Sequence, residues 1–415
     1  MRVLTHIIIS SILICLLFNV TWGLSLDEVV KEALRHNPEI LAAKNKWKAA
    51  KAKVPQVRWW GDPQFGISYE EIPSGSYSLE EARMRMYSIS QMIPFPGKLT
   101  LQGGIATKDA QTSKENYEEK KNEIVSKVKS AYYFLFFVHK AIEINRENKD
   151  LVQKFEKIAE TKYAVGEVSQ HDVLQAQVEL SLIIDDLITL ERDELPTAEA
   201  RLNALLDRLP HSPLGVPEEF EIPKLEYTNE EIEKLAIEKR PALMAMKHGV
   251  EKSKKALTLA KMQYLPNFMV KLTQEEMRMP IGTEIDRGIM FSINIPLWFW
   301  RQGFGIREKR AQRSAMQFSY RAMKNMVLFQ VQNALAKFNA SERRVNLFKT
   351  SIIPQAEQAL KAATIAYETG KIDFLTLINS ERMLINVRLK YYGVLAKHGG
   401  NLANLERVVG ISLSE

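Results

Sequence analysis

Residues 38–42 read Pro-Glu-Ile-Leu-Ala, and residues 241–245 read Pro-Ala-Leu-Met-Ala, about 203 positions later. Without a gap, the same offset carries Lys44 onto Lys247, Lys51 onto Lys254, Pro63 onto Pro266 and Phe65 onto Phe268. Ile93-Pro94 then falls on Ile295-Pro296, and Tyr163-Ala164-Val165-Gly166 falls on Tyr367-Glu368-Thr369-Gly370. The register drifts by only a residue or so over roughly 130 positions, which chance prolines and glycines would not do. The chain is therefore read as a tandem duplication. The first repeat spans 24–208 with a hairpin near 63–93, and the second spans 229–415 with a hairpin near 266–297. A linker at 209–228 joins them through the loop Pro210–Pro217.

Ahead of the first repeat, Arg2 precedes an apolar run from Ile7 to Val20, followed by Thr21-Trp22-Gly23. The run is too short to span a bilayer, so residues 1–23 read as a secretory signal peptide. The single cysteine, Cys15, falls inside it, which leaves the mature chain without disulfides, thiolate chemistry or cysteine metal sites. Lipidation of Cys15 would need a small residue where bulky Ile14 stands.

Each repeat reads as helix, hairpin, long helix, turn, long helix. Helix one is expected over about Ser25–Arg58 and Asn229–Met262, opened by capping-box-like pairs Ser25/Glu28 and, more weakly, Asn229/Ile232. Two long proline-free runs follow, Lys98 to Leu195 and Leu297 to Ile353, with apolar residues such as Ile124, Val128, Ala131, Leu135, Val138 and Ile142 at helical spacing. As one helix, Lys98 to Tyr163 is on the order of 100 Å long, which points to a coiled-coil-like bundle. Tyr132 to Phe137 is apolar all round and reads as a helix buried among neighbours.

The hairpins alternate with period two. Phe65, Ile67 and Tyr69 oppose Gln64, Gly66 and Ser68. Phe268, Val270 and Leu272 oppose Met269, Lys271 and Thr273, while Ile289, Phe291, Ile293, Ile295 and Leu297 oppose Met290, Ser292 and Asn294. Strand two fits less well because Gln91 breaks its apolar side. Lengths near 9–11 residues suit tilted strands crossing a bilayer. Aromatics mark the helix-side ends of the strands: Trp59, Trp60, Phe95, Tyr264, Trp298, Phe299 and Trp300, as an interfacial girdle requires. Four strands cannot close a barrel; two chains would supply about eight and three chains about twelve, and only the trimer leaves a lumen.

Tyr163-Ala-Val-Gly-Glu-Val-Ser-Gln-His-Asp-Val-Leu-Gln-Ala-Gln177, Tyr367-Glu-Thr-Gly-Lys-Ile-Asp-Phe-Leu-Thr-Leu-Ile-Asn379 and Leu26-Asp-Glu-Val-Val-Lys-Glu-Ala-Leu-Arg-His-Asn-Pro38 resemble motifs of the TolC family of outer-membrane efflux proteins. The resemblance covers the whole mature chain. It implies a mainly α fold with a membrane β-barrel: a homotrimeric twelve-stranded barrel in outer-membrane lipid on a periplasmic helical tunnel, docked by a periplasmic adaptor and an inner-membrane RND or ABC pump. It places the adaptor-docking tip at Val165, Gly166, Glu167, Thr369, Gly370 and Lys371. The family's aspartate ring would fall on Thr376 and Asn379, neither acidic, which leaves Asp172 and Asp373 as substitute tunnel-mouth residues. Gln91-Met-Ile-Pro-Phe-Pro-Gly-Lys98 resembles the strand-to-helix corner of members paired with heavy-metal pumps. Met84-Arg85-Met86 and Met277-Arg278-Met279 could be soft-ligand sites, although packing is their plainer role.

Other classes fit poorly. The formal charge is +7, but Lys and Arg interleave with Asp and Glu, which suits solvated helix faces rather than a nucleic-acid groove. No zinc-protease, serine-hydrolase, dinucleotide or phosphate-loop pattern occurs, so no enzyme, cofactor or resident metal is expected. What the resemblance implies is a passive outer-membrane exit duct for small solutes or metal ions handed over by the pump and adaptor; the competing readings are an exit duct for type I protein secretion and a soluble periplasmic coiled-coil scaffold.

Overall fold

The computed structural model describes residues 23–222 and 225–413; the signal-peptide reading and Cys15 lie outside the described residues. Its elements run α1 Leu26–His36, α2 Pro38–Gln56, β1 Gln64–Glu70, β2 Met84–Ile93, α3 Lys98–Ala164, α4 Gln170–Thr189 and α5 Leu195–Leu205. The second half repeats the order with α6 Asn229–Lys239, α7 Pro241–Lys261, β3 Phe268–Arg278, β4 Thr283–Ile293, α8 Phe299–Leu347, α9 Ile353–Glu368 and α10 Phe374–Val409.

The expected first helix of each repeat is in fact two helices, divided at Asn37 and Arg240. Each break precedes a proline, which disfavours helical backbone in the residue before it and is preformed for the first helical turn after it. Asn37 uses the break as a cap, its Oδ1 accepting from the Glu39 and Ile40 amides at 3.0 and 3.2 Å. The capping boxes also differ. Ser25 makes no side-chain cap, and the second repeat is capped one residue earlier than expected, by Thr228 with Glu231. Two π turns, Leu190–Glu194 and Phe348–Ile352, interrupt otherwise continuous helices two residues before Pro196 and Pro354.

Spatially the chain forms two units that each draw on both repeats. One holds residues 42–118 and 241–326; the other holds residues up to 41, 119–240 and those from 327 onward.

The first unit contains an antiparallel sheet in the order β1-β2-β3-β4, so the two repeats pair through β2 and β3. The register places Phe65, Ile89, Leu272 and Ile289 in one cross-sheet row, and Ile93, Phe268 and Ile293 in another. Side chains alternate along each strand, so these rows share one face, and that apolar face is exposed from Phe65 to Phe291. Fourth-strand pairing starts at Thr283, earlier than expected, and stops at Ile293. Beyond it Asn294 ties its Oδ1 to the Asn267 amide. Asn267 in turn accepts from the Phe95 amide at 3.2 Å and from Lys98 Nζ at 2.9 Å, and Lys98 also reaches the Leu265 carbonyl at 2.7 Å. One asparagine thus fastens three strand ends to the start of α3.

In the helical unit, Tyr132, Tyr133, Leu135 and Phe136 are buried as expected, whereas Phe134 is exposed. Tyr132 Oη donates to the Leu24 carbonyl at 2.7 Å and accepts from the Glu218 amide at 3.0 Å, which fixes the linker beside the N-terminal segment. Phe220 of the linker packs on Tyr133 and Phe136 at centroid distances of 4.6 and 4.8 Å.

Gly399 in α10 is forced by this packing. A Cβ there would stand 2.6 Å from the Tyr133 ring, whereas at Gly400 the nearest atom is Ser130 Oγ at 3.6 Å. Gly399→Ala is expected to destabilise by about 1–3 kcal/mol through overpacking. Gly400→Ala gains about 0.5–1 kcal/mol of helix propensity. Thermal melts of the two variants should move in opposite directions.

Candidate functional site

The helical unit carries two chain reversals of like geometry. α3 ends in a turn in which the Gly166 amide donates to the Tyr163 carbonyl at 2.9 Å and the Glu167 amide to the Lys162 carbonyl at 2.8 Å. α9 ends the same way: Gly370 donates to Tyr367 at 3.0 Å and Lys371 to Ala366 at 2.7 Å. This pair of bonds is the Schellman motif, which needs a left-handed residue where the glycine stands. Gly166 has φ +80° and Gly370 φ +71°, and a Cβ at either would meet nothing within 4 Å. The duplicated glycines therefore serve the backbone turn and leave an open surface above it. Val165, Glu167, Thr369 and Lys371 surround them, all exposed.

Beneath the turns the repeats differ. Tyr163 is about half exposed, while its counterpart Tyr367 is buried, edge-on to Phe374 at 5.5 Å. Burial, with the Asp172 carboxylate nearby, pushes the Tyr367 hydroxyl up to about 12. Lys162 lies 5.3 Å over the same ring and donates to the carbonyls of Tyr367 and Glu368 at 3.1 and 3.2 Å.

The four tunnel-mouth candidates are spread over two helix starts. Asp373 is the N-cap of α10, its Oδ1 accepting from the Thr376 amide at 2.9 Å, and the Thr376 side chain, with that amide, holds its carboxyl below the ordinary range. Asp172 accepts from Ser169 Oγ at 3.1 Å in the first turn of α4. Thr376 and Asn379 are exposed on α10. In the sheet unit, Trp59, Trp60, Trp298 and Trp300 are exposed. Trp298 and Trp300 pack together at 5.2 Å, Tyr264 stacks on Phe299 at 6.3 Å, and half-buried Phe95 stacks on Phe268 at 6.3 Å.

Sequence reasoning missed a buried polar cluster in the helical unit. Its core joins Phe155, Ala176, Leu360, Tyr367, Phe374, Leu377 and Leu384 from α3, α4, α9 and α10. Into this apolar set α10 places Glu381, which is 0% exposed. Its polar surroundings are Asn148 of α3, Glu179 of α4 and Arg382 of α10. Arg382 is already committed to buried Glu179, its Nε at 3.0 and 2.9 Å from the two oxygens and its Nη2 closer still. The signal was present in the sequence: Phe374, Leu377, Ile378, Glu381 and Leu384 keep helical spacing, so an acid occupies a core position.

Burial lifts the Glu381 carboxyl from its ordinary 4.5 to about 7, with Glu179 adding to the rise. The folded state therefore holds a proton that the unfolded chain releases, and stability falls as pH rises from about 4.5 through 7. Glu381→Gln removes that titration. Melts of variant and parent should coincide near pH 4.5, and by pH 8 the variant should be the more stable by on the order of 3 kcal/mol. A pH-independent difference would mean that the buried acid does not titrate.

A serine and a histidine also meet, Ser341 Oγ to His398 Nδ1 at 2.9 Å, with Asn401 donating to the same hydroxyl at 3.0 Å. Both groups are buried, Phe338 packs on the imidazole at 4.6 Å, and burial holds His398 down at about 4. The contact stitches α8 to α10.

The family model described as "Outer membrane efflux protein" matches residues 29–208 and again residues 233–410. The cobalt-zinc-cadmium resistance protein CzcC of Cupriavidus metallidurans is 22% identical over 407 residues, covering 93% of this chain and 90% of that protein. Among solved structures, the outer membrane protein VceC of Vibrio cholerae superposes with a TM-score of 0.77 at 17% identity, covering 94% of this chain and 96% of that one. The open-state outer membrane channel MtrE of Neisseria gonorrhoeae gives 0.76 at 17% identity, covering 94% and 89%.

Proposed function

This chain belongs to the outer membrane efflux protein family, and from that premise we propose that it works as a homotrimer, with a periplasmic adaptor and an inner-membrane pump, to release metal cations. The family membership makes it an outer-membrane exit duct rather than an enzyme. The repeat boundaries 24–208 and 229–415 are part of the same reading, and the double match of the family model supports them.

One observation carries the trimer. The sheet has an exposed apolar face, a polar face, and among the described residues two outer edges, β1 and β4, without a pairing strand. In lipid every backbone amide and carbonyl must be paired, so such a sheet has to be closed by other copies. Three copies give twelve strands, with the apolar face to lipid, the polar face to the lumen and the tryptophans at the interface. α4 supports the same association, since Leu174, Val178, Leu182 and Ile188 make an exposed apolar stripe along it. Metal cations as cargo are supported by the likeness to CzcC, whose name ties it to cobalt, zinc and cadmium.

The two glycine turns dock the adaptor through Val165, Gly166, Glu167, Thr369, Gly370 and Lys371. Their left-handed backbone and open Cβ directions leave a flat, side-chain-poor surface that suits close packing by a partner. Asp172, Asp373, Thr376 and Asn379 are assigned to the tunnel mouth, where Asp373 both caps a helix and supplies charge.

Phe291 and Ser292 are adjacent in β4 and point to opposite faces. A lipid-facing arginine costs roughly 2–4 kcal/mol at the bilayer midplane, whereas a lumenal one stays hydrated. Phe291→Arg should therefore cut the yield of detergent-resistant trimers, and Ser292→Arg should not; equal yields would reverse the faces.

At the tip, Gly370→Ala and Gly370→Trp impose the same backbone strain, roughly 1–2 kcal/mol, but differ in bulk. Trimers of both should accumulate normally, with export retained by the alanine variant and lost by the tryptophan variant. Full export by Gly370→Trp would remove the turn from the docking surface.

A further inference from the structure

The pairing of β2 with β3 sorts the two Met-Arg-Met segments by face. Met84 lies directly opposite Met277, and Met86 opposite Glu275. Alternation along the strands therefore puts Met84, Met86 and Met277 together on the polar face, at the end of the sheet nearest the hairpin loops. The arginines between them go to the other face. Arg85 lies 5.7 Å over the Tyr69 ring, and Arg278 Nη1 donates to the Glu80 carbonyl at 2.6 Å. The adjoining strands extend the same rows with acids: Glu70 is opposite Met84, Glu284 opposite Met277 and Asp286 opposite Glu275. Three thioethers are thus gathered among four carboxylates, and the guanidinium groups are kept away from them.

We propose that Met84, Met86 and Met277 form a thioether site for a soft monovalent cation of the Cu(I) or Ag(I) class, on the polar face of the sheet. The proposal rests on the cation-export reading for its physiological meaning and adds a soft monovalent class to the cobalt, zinc and cadmium in the relative's name. Met84 and Met277 are directly opposed, a position where Cβ atoms lie about 4.5–5.5 Å apart, and Met86 is the diagonal neighbour at about 7–8 Å. Methionine has three rotatable side-chain bonds, which brings all three sulfurs within reach of one ion. Thioethers select soft ions over Zn²⁺ or Co²⁺. They carry no proton to displace, so binding is independent of pH where histidine or cysteine sites would titrate. Glu70, Glu275, Glu284 and Asp286 raise the local cation concentration without supplying the selectivity. Neutral sulfur ligands on a solvent-accessible face hold the ion loosely enough to let it leave, as conduction requires.

The sheet supplies its own comparison. Met92 lies opposite Met269 on the same face, with Ser292 beside them and no acid in the row. The test is silver binding to the purified full-length protein in detergent and chloride-free buffer, read by isothermal titration and by metal content after desalting. The parent is expected to take up one Ag⁺ per chain, with little change between pH 5.5 and 7.5 and no displacement by equimolar Zn²⁺. Met84→Leu with Met277→Leu should weaken binding at least tenfold, while Met92→Leu with Met269→Leu should leave it within twofold. Leucine for methionine conserves volume, so trimer yield checks that the fold is intact. Displacement by Zn²⁺, or equal binding by the two double variants, would overturn the site. Export is read separately, by cation tolerance of cells carrying Gly370→Trp. Silver binding absent while the parent still exports cations overturns the site alone. Silver binding present while the parent exports none overturns the export reading instead.

Discussion

The antiparallel pairing of β2 on β3 is the contact on which the rest of the sheet depends. It is where the two repeats meet, and it is contributed by strands about 180 residues apart in sequence. Because side chains alternate, a slip of one residue would turn Phe268, Val270 and Leu272 to the polar side and Met269, Lys271 and Thr273 to the apolar side. The row Gly66, Ser88, Thr273, Gly288 restricts such slips, since a Cβ at Gly288 would approach Thr273 Oγ1 to 2.8 Å and one at Gly66 would approach Ser88 Oγ to 3.1 Å. Below the ladder, Asn267 and Lys98 fix the same register through hydrogen bonds that join Phe95 beyond β2, Asn267 before β3 and Asn294 after β4.

The faces, the 67-residue α3 and both turn glycines were legible in the sequence, because each is a periodic or backbone-dictated signal. Period two survives in β1, β3 and the lower part of β4, where one side is apolar. It fails over Glu284, Asp286 and Arg287, which put charge on both sides, and so the start of β4 was placed too late. The single helix expected before each hairpin ignored a local rule in favour of a global pattern. The apolar stripe continues across Pro38 and Pro241, yet Asn37 and Arg240 before them have left the helix. The π turns had only Pro196 and Pro354 to announce them, and a proline by itself equally allows a kink or a helix end.

The buried acids show the converse. Glu179 and Glu381 occupy positions that helical periodicity assigns to the core, but charged residues at such positions are easily read as noise at the edge of a stripe. The structure resolves them differently: Glu179 is paired with Arg382, while Glu381 has no cation to itself and burial raises its carboxyl to about 7. Two carboxylates on neighbouring helices thus differ in their partners because the one arginine between them is committed to Glu179.

The π turns at Leu190–Glu194 and Phe348–Ile352 have a geometric consequence beyond relieving the prolines. Each inserts one residue more than an α-helical turn holds, which rotates every later side chain by about 100° around the helix axis. A stripe that faces one neighbour before the surplus residue faces another after it. A single continuous rod can in this way change packing partners partway along its length, without a loop and without breaking its backbone ladder for more than a turn. In the first repeat the re-phasing comes after the glycine turn, and in the second before it. The duplicated halves therefore share a sequence ancestor but not a winding.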